Sequence, residues 1–139
     1  MVDNEEDFVA VFNKFVTWLE DRELLLGKVT DHNMTHLKTF MFITCGDWDL
    51  KYMLPSQCST SHIKMPNYFL QWINIKKSFA MCNNGKFPRS LSEMLNESGL
   101  TFQGRQHSGI DDVKNIARIV QTLAKEKRHV FEITAQIKS

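Results

Sequence analysis

A histidine and a carboxylate stand five residues apart at His107 and Asp112, and these two side-chain types can bind a metal ion or move a proton. The apolar residues that follow recur in helical steps and predict an amphipathic helix that begins near Gly109. Ser108 is its expected N-cap, and Asp111 completes a carboxylate variant of the capping box. Asp112 is then left for chemistry, and the helix dipole keeps it ionised. The alternative is that His107 is an ordinary loop residue and Asp112 only complements the dipole. The predicted apolar stripe consists of Val113, Ile116, Ala117, Val120, Leu123 and Ala124.

A second acidic group follows a predicted strand. Residues 38–45 are apolar, rich in side chains that favour strands, and end at Gly46, a pattern that predicts a buried strand. Asp47 is the expected N-cap of the helix that comes next, and Pro55 should end or interrupt that helix. Ligands of α/β proteins gather at the carboxyl ends of strands. The corner between this strand and this helix is therefore a second candidate site.

Asp49 is the carboxylate at this corner that is best placed for chemistry, because Asp47 is expected to be used as the cap. Its side chain would be free to reach a metal ion shared with Asp112. The alternative is that Asp49 is only a favourable charge in the first turn of the helix.

Other polar residues are weaker candidates. His32 and His36 are four residues apart and could bind a metal on a helix, but no glutamate accompanies them in the metalloprotease pattern. Lys76, Lys77 and Arg105 could hold phosphates, with aromatic side chains nearby for base stacking. The alternative for these three cations is an ordinary solvated surface.

The elements that must position these residues can be predicted from their apolar periods and end signals. A first helix spans residues 8–19, and Gly27 stops its pattern. A turn is expected at residues 83–85 and a short helix at residues 90–98. Residues 129–133 alternate weakly and could form an edge strand.

The whole chain is expected to form one domain over residues 1–139. Its 42% hydrophobic and 24% charged residues are ordinary for a globular protein, and a net charge of +1 excludes a strongly basic nucleic-acid coat. Any nucleic-acid site must therefore be local. The odd, widely spaced Cys45, Cys58 and Cys82 favour a reducing intracellular compartment, cytoplasmic or nuclear. No apolar run approaches the roughly 18 residues of a membrane span, so no membrane partner is expected.

Three segments, taken in their order, resemble one known family. They are residues 46–50 (Gly-Asp-Trp-Asp-Leu), residues 72–78 (Trp-Ile-Asn-Ile-Lys-Lys-Ser) and residues 104–117, which contain the histidine and aspartate described above. The chain is similar over nearly its whole length to the DEDDh 3′-to-5′ exonucleases. Within them it looks most like the enhanced-RNA-interference exonucleases, in the branch named for interaction with prion protein. The resemblance implies an α/β, RNase H-like fold with a mixed sheet flanked by helices.

The resemblance also implies a reaction and its residues. The family removes nucleotides one at a time from the 3′ ends of RNA or single-stranded DNA. Four carboxylates hold two Mg²⁺ or Mn²⁺ ions, which clamp the attacking and leaving oxygens, and a histidine is the general base. By motif match, Asp49 is the third acidic ligand, Asp112 the fourth and His107 the base. Trp48 is implied as a residue that stacks on the terminal base of single-stranded RNA.

One family motif is not found: an Asp-x-Glu pair on a hydrophobic central strand. The pair at residues 3 and 5 has no apolar strand before it, and the pair at residues 21 and 23 lies near the end of a helix, on its solvent side. In the family, three strands precede the helix that begins here near Phe8. We therefore expect an N-terminally truncated domain in which Met1 is an internal start. A missing central strand would leave part of the sheet exposed, for self-association or a protein partner to cover.

The missing carboxylates also bear on activity. Two carboxylates lack the charge and the geometry to hold two ions, so we expect at most one weakly bound ion and an inactive or severely impaired chain. Three readings stay open at this point. The chain is an exonuclease whose missing ligands come from outside this sequence, a non-catalytic isoform that binds RNA or a protein, or the product of an incomplete gene model with no independent function.

Overall fold

The computed structural model describes residues 6–22 and 40–138. The chain divides into two compact units. Among the described residues, unit 1 contains residues 6–22, 40–42, 47–72 and 136–138, and unit 2 contains residues 43–46 and 73–135. That the chain forms a single domain stays a prediction. No helix in these described segments is long and apolar enough to cross a membrane.

The first helix of unit 1 confirms the prediction made from its apolar period. Helix α1 spans Phe8–Asp21, and the Asp7 side chain caps it by accepting the Ala10 N–H at 2.9 Å. Gly27, the predicted stop, lies outside the described residues. The buried positions of α1 repeat at helical steps and are Phe12, Val16 and Leu19.

The strand predicted over residues 38–45 is much shorter in the structure. Strand β1 comprises only Ile43–Thr44, its residues are half-buried, and residues 40–42 are irregular. Residues 38 and 39 lie outside the described part. The prediction of a buried strand was therefore wrong in both length and burial. The apolar run does not become a strand throughout, because Phe42 instead stacks its ring on Phe69 at 5.0 Å.

A π-helical turn at Asp49–Met53 follows this corner and continues as helix α2, Leu54–Thr60. Pro55 stands in the first turn of α2, directly after the π-helical turn, and it lacks the N–H that a continuous helix would use at this position. The proline therefore does not end the helix, which was the first of the two predicted outcomes. The second predicted outcome, an interruption, corresponds to the change from π to α geometry just before Pro55.

Within the described residues, the sheet has three short strands in the order β1, β2, β3, where β2 is Gln71–Asn74 and β3 is Ala135–Gln136. Strand β1 runs parallel to β2, with Ile43 opposite Ile73. The edge strand predicted at residues 129–133 was wrong, because that segment is irregular. The His129 N–H bonds the Leu123 carbonyl at 3.0 Å, which ties the segment to the preceding helix.

Three helices form the core of unit 2: α3 (Ile75–Met81), α4 (Leu91–Glu97) and α5 (Gly109–Glu126). Helix α4 confirms its prediction, because Ser90 caps it by accepting the Glu93 N–H and Gly99 follows it with φ +72°. The predicted turn at residues 83–85 is also present. The helices enclose a buried cluster of Ile75, Phe79, Met94, Leu95, Ile119 and Leu123.

The buried face of α5 differs from the predicted stripe. Val113 is 60% exposed, and Ala117 and Ala124 are exposed as well. The helix buries Asn115 and Ile119, which were not predicted, together with the predicted Leu123, while the predicted Ile116 and Val120 are partly buried and pack against the core. The prediction followed apolar residues alone, and it could not count a buried asparagine as part of the packed face.

Candidate active site

The loop that carries His107 is shaped by two residues in left-handed backbone conformations. Gly104 has φ +95° and His107 has φ +67°. A Cβ atom on Gly104 would stand 2.6 Å from Cγ of Asp111, closer than real Cβ contacts. Only glycine satisfies both this backbone angle and this close approach. The loop is thereby brought tightly onto the first turn of α5.

The two carboxylates in that turn bind backbone N–H groups of the loop. Asp111 Oδ2 accepts the Arg105 N–H at 3.0 Å, and Asp112 Oδ1 accepts the His107 N–H at 3.3 Å. Ser108 is the N-cap residue, but its side chain makes no capping hydrogen bond. The predicted capping box was therefore wrong. The carboxylates stabilise the loop before the helix, and one oxygen of Asp112 takes part in this contact.

His107 and Asp112 line one cavity of about 460 Å³ in unit 2. His107 is exposed and Asp112 is half-buried. Cys45 lines the same cavity, and Gln106 Nε2 donates to Ser92 Oγ at 3.5 Å along its wall. The structure therefore brings together the two residues whose spacing first suggested chemistry. Sequence reasoning missed the polar wall, although Gln106 adjoins the candidate histidine.

Asp49 and Trp48 belong to a different concavity, which lies within unit 1. The groove has a volume of about 870 Å³, and both residues line it together with Phe8 and Tyr52. Trp48 is 63% exposed, and its ring lies 5.0 Å from that of Tyr52. Asp49 is exposed at the start of the π-helical turn. The groove thus offers an accessible aromatic surface beside a carboxylate.

Asp47 stands at the start of the following helix, where its backbone carbonyl accepts the Lys51 N–H at 2.9 Å. Its Oδ1 accepts the indole N–H of Trp72 at 2.9 Å, and the N-cap position of the π-helical turn is occupied by Trp48 without a capping side chain. Trp72 is only 1% exposed, so its N–H needs an acceptor within the protein. Asp47 therefore fixes the corner that presents Trp48 and Asp49.

The predicted phosphate-binding cations have other contacts in this structure. Lys76 Nζ donates to the Arg89 carbonyl at 3.2 Å, and Lys77 Nζ donates to the Thr134 carbonyl at 3.4 Å. Arg105 is exposed beside the candidate histidine. Their binding to nucleic acid stays a prediction.

The fit of these residues to divalent ions can be judged from their chemistry and grouping. Asp49 and Asp112 are each oxygen donors of the kind that hard divalent ions prefer, but they belong to different units. Among the described residues, no group of three or more His, Cys, Asp or Glu side chains could hold a metal ion. The described residues therefore do not by themselves form a two-ion centre. His32 and His36 lie outside the described residues.

The sequence profile of the exonuclease (RNase T) family matches residues 1–120. The chain belongs to this exonuclease family. The chain is 44% identical over 127 residues to ERI1 exoribonuclease 3 of Bos taurus, a match that covers 89% of this chain and 34% of that protein. The chain spans between 33% and 45% of the length of the curated relatives that it matches.

Solved exonuclease structures share the fold. The nuclease domain of 3′hExo, a DEDDh family member bound to rAMP, superposes with a TM-score of 0.80 and 33% identity over 98% of this chain and 63% of that chain. A 3′-exonuclease that recognises the 3′ end of the histone mRNA stem-loop gives a TM-score of 0.81 and 31% identity over 99% of this chain and 44% of that chain. The predicted α/β DEDDh exonuclease fold is confirmed, and the chain matches the C-terminal portion of the domain.

Proposed function

We propose that this chain carries part of a 3′-to-5′ exoribonuclease site that acts on single-stranded RNA 3′ ends. The observation that carries the proposal is the cavity in unit 2 shared by His107 and Asp112. Its support from the comparisons is the family match over residues 1–120 and the exoribonucleases among the relatives. We also propose membership of the enhanced-RNA-interference subfamily, in its prion-protein-interacting branch, on the strength of residues 46–50 and 104–117.

Each residue has a role in this proposal. His107 accepts a proton from the attacking water, and its imidazole is exposed and therefore accessible for this role. Asp49 and Asp112 supply carboxylate ligands. The family depends on divalent metal ions, and such an ion stabilises the charge that develops on the phosphate oxygens. Trp48 stacks on a base at the RNA end, because its indole is accessible in the groove of unit 1.

We further propose that residues 1–139 on their own trim RNA little or not at all. Two carboxylates provide too little negative charge for two divalent ions, and so at most one Mg²⁺ or Mn²⁺ binds weakly. The remaining ligands would come from a longer product or from a second chain.

A second candidate function is a non-catalytic module that binds RNA or a protein. Helix α1 favours it, because several large apolar side chains on that helix are open to solvent. Val11 is 51% exposed, Phe15 37% and Trp18 43%. Self-association or a protein partner would cover these side chains.

One experiment separates the two functions. Purified protein is incubated with 5′-labelled single-stranded RNA and Mg²⁺ or Mn²⁺, and its binding to the linear RNA is compared with binding to a circular RNA of the same sequence. A preference for the linear RNA that weakens in Asp112→Asn, with little trimming, supports an exonuclease site that is incomplete. Asp111→Asn is the matched control, because Asp111 is assigned to the loop alone.

Equal affinity for linear and circular RNA would remove the proposed end-binding site and would favour the non-catalytic module. Robust one-nucleotide trimming that disappears in Asp112→Asn would overturn the proposal that the chain alone is inactive, while it would strengthen the exonuclease assignment.

A further inference from the structure

Asn115 is a polar residue on the buried face of α5, and its side chain is completely enclosed, at 0% exposed. Its Nδ2 donates to the Gln103 carbonyl at 2.8 Å and to the Asp111 carbonyl at 2.7 Å. Its Oδ1 accepts the Gln103 N–H at 3.1 Å and Arg118 Nη1 at 2.9 Å. A primary amide has two N–H donors and an oxygen with two lone pairs. Every hydrogen-bonding capacity of Asn115 is therefore used.

Three of these four bonds hold the backbone, and two of them hold Gln103. The Asn115 amide pairs with both the N–H and the C=O of Gln103, as a neighbouring strand would. Arg118 adds a further bond to this loop, because its Nη1 also donates to the Thr101 carbonyl at 2.7 Å. The loop is thus attached to α5 before it reaches Gly104.

Further attachments follow at every second residue up to the histidine. Asp111 holds the Arg105 N–H and Asp112 holds the His107 N–H. The segment between Gln103 and His107 consequently has little freedom to move relative to α5. An apolar side chain in place of Asn115 would leave the two backbone groups of Gln103 unpaired.

We infer that Asn115 is a positioning residue, which fixes the loop from Thr101 to His107 on α5 and thereby sets where the His107 imidazole stands in the cavity. The inference rests on the proposed function only for what His107 does once it is in place. Asn115 touches neither water nor RNA in this role, since it acts entirely through the loop backbone.

The test uses the full 139-residue chain and NMR at constant pH. Asn115→Leu removes the whole amide, and Arg118→Met removes only the bonds of the guanidinium, in case the first variant fails to fold. Leu123→Ala is a control that destabilises the same helix without touching the loop. Gln103→Ala is a second control, because Asn115 holds only the backbone of Gln103.

We expect exchange of the Gln103 amide hydrogen to accelerate by about tenfold or more in Asn115→Leu, beyond any change at the centre of α5. The imidazole signal of His107 should shift or broaden, while the signals of His62 and His129 stay in place. Arg118→Met should give a smaller change of the same kind. Leu123→Ala should accelerate exchange in the helix core without a selective effect on His107.

An unchanged His107 signal in both Asn115→Leu and Arg118→Met would overturn the inference, as would an equal shift in Leu123→Ala. The proposed function fails on a different measurement, namely the absence of any preference for linear over circular RNA in the unmodified protein. The two failures are therefore distinguishable.

Discussion

The carboxylate of Asp112 accepts the backbone N–H of His107 at 3.3 Å. The five-residue spacing between them is bridged by the turn that starts α5, so a side chain of the helix holds the residue that the loop presents. This contact uses one carboxylate oxygen at most. Asp112 lines the same cavity as His107, and we expect its second carboxylate oxygen to bind a divalent ion.

Replacement of Gly104, three residues before the candidate histidine, should destabilise the protein. Gly104→Ala places a Cβ atom 2.6 Å from Asp111 Cγ at a backbone φ of +95°, and we expect it to lower the free energy of unfolding by about 1–3 kcal/mol. Gly109→Ala is the matched control, since nothing lies within 4 Å of its Cβ position and it begins a helix. Urea denaturation followed by circular dichroism measures both. Equal midpoints for the two variants would contradict this account of the loop.

Two neighbouring aspartates should respond differently to replacement by alanine. Asp47→Ala leaves the buried Trp72 indole without the acceptor at 2.9 Å, and we expect a loss of about 1–3 kcal/mol in the free energy of unfolding. Asp49→Ala should change stability little, because Asp49 is exposed. It should instead weaken Mn²⁺ binding, as measured by titration calorimetry. A stable Asp47→Ala variant, or an Asp49→Ala variant with undiminished Mn²⁺ affinity, would show that the roles have been assigned wrongly.

The exposed indole of Trp48 should contribute to RNA binding. Trp48→Ala removes a stacking surface, and we expect it to weaken binding of single-stranded RNA by about 1–3 kcal/mol. Trp18→Ala is the control on α1, where the indole is 43% exposed and stacks on Phe15. Fluorescence anisotropy with a short RNA compares the two variants. If Trp18→Ala has the larger effect, RNA binds along α1 and the aromatic groove is not the base site.

Burial, and secondarily the negative charge of Glu20, raises the pKa of Tyr68 to about 12. The neutral phenol is favoured in the folded state, so its contribution to stability is complete below the ordinary tyrosine pKa of about 10 and is lost as pH rises towards 12. Absorbance at 295 nm should show a late tyrosinate step that is missing in Tyr68→Phe. The free energy of unfolding of Tyr68→Phe should also fall less steeply than that of the unmodified protein as pH rises through this range. A complete tyrosine titration by about pH 10.5 in the folded protein would contradict the burial of Tyr68.

The elements that were predicted correctly are those with local signals. Helix α1 has a regular apolar period, and helix α4 has both a serine cap and a glycine stop. Some failures were local, since the side chain of Ser108 forms no capping bond, and others concern contacts between distant parts of the chain. The contact of Asp47 with Trp72, which lies 25 residues further on, was not predicted. A local pattern cannot reveal such a partner.

The candidate site shows the same division. Its histidine and aspartate could be selected from their types and spacing, and the structure places both on one cavity. The hydrogen bonds between the Asn115 side chain and the Gln103 backbone could not be predicted, since they span 12 residues and depend on the burial of a polar side chain. The π-helical turn that carries Asp49 was also missed, because its sequence has the same apolar spacing as an ordinary helix.

The central claim is that an RNA 3′ end reaches the residues identified by these motifs. It is tested most directly by photocrosslinking the full chain to single-stranded RNA that carries 4-thiouridine at its 3′ terminus, followed by mass spectrometry of the crosslinked peptides. We predict crosslinks within residues 46–53 or 101–117, and we predict their loss when the 4-thiouridine is moved to the 5′ end of the RNA. Crosslinks that fall mainly on α1, or that do not depend on which end carries the label, would contradict the account.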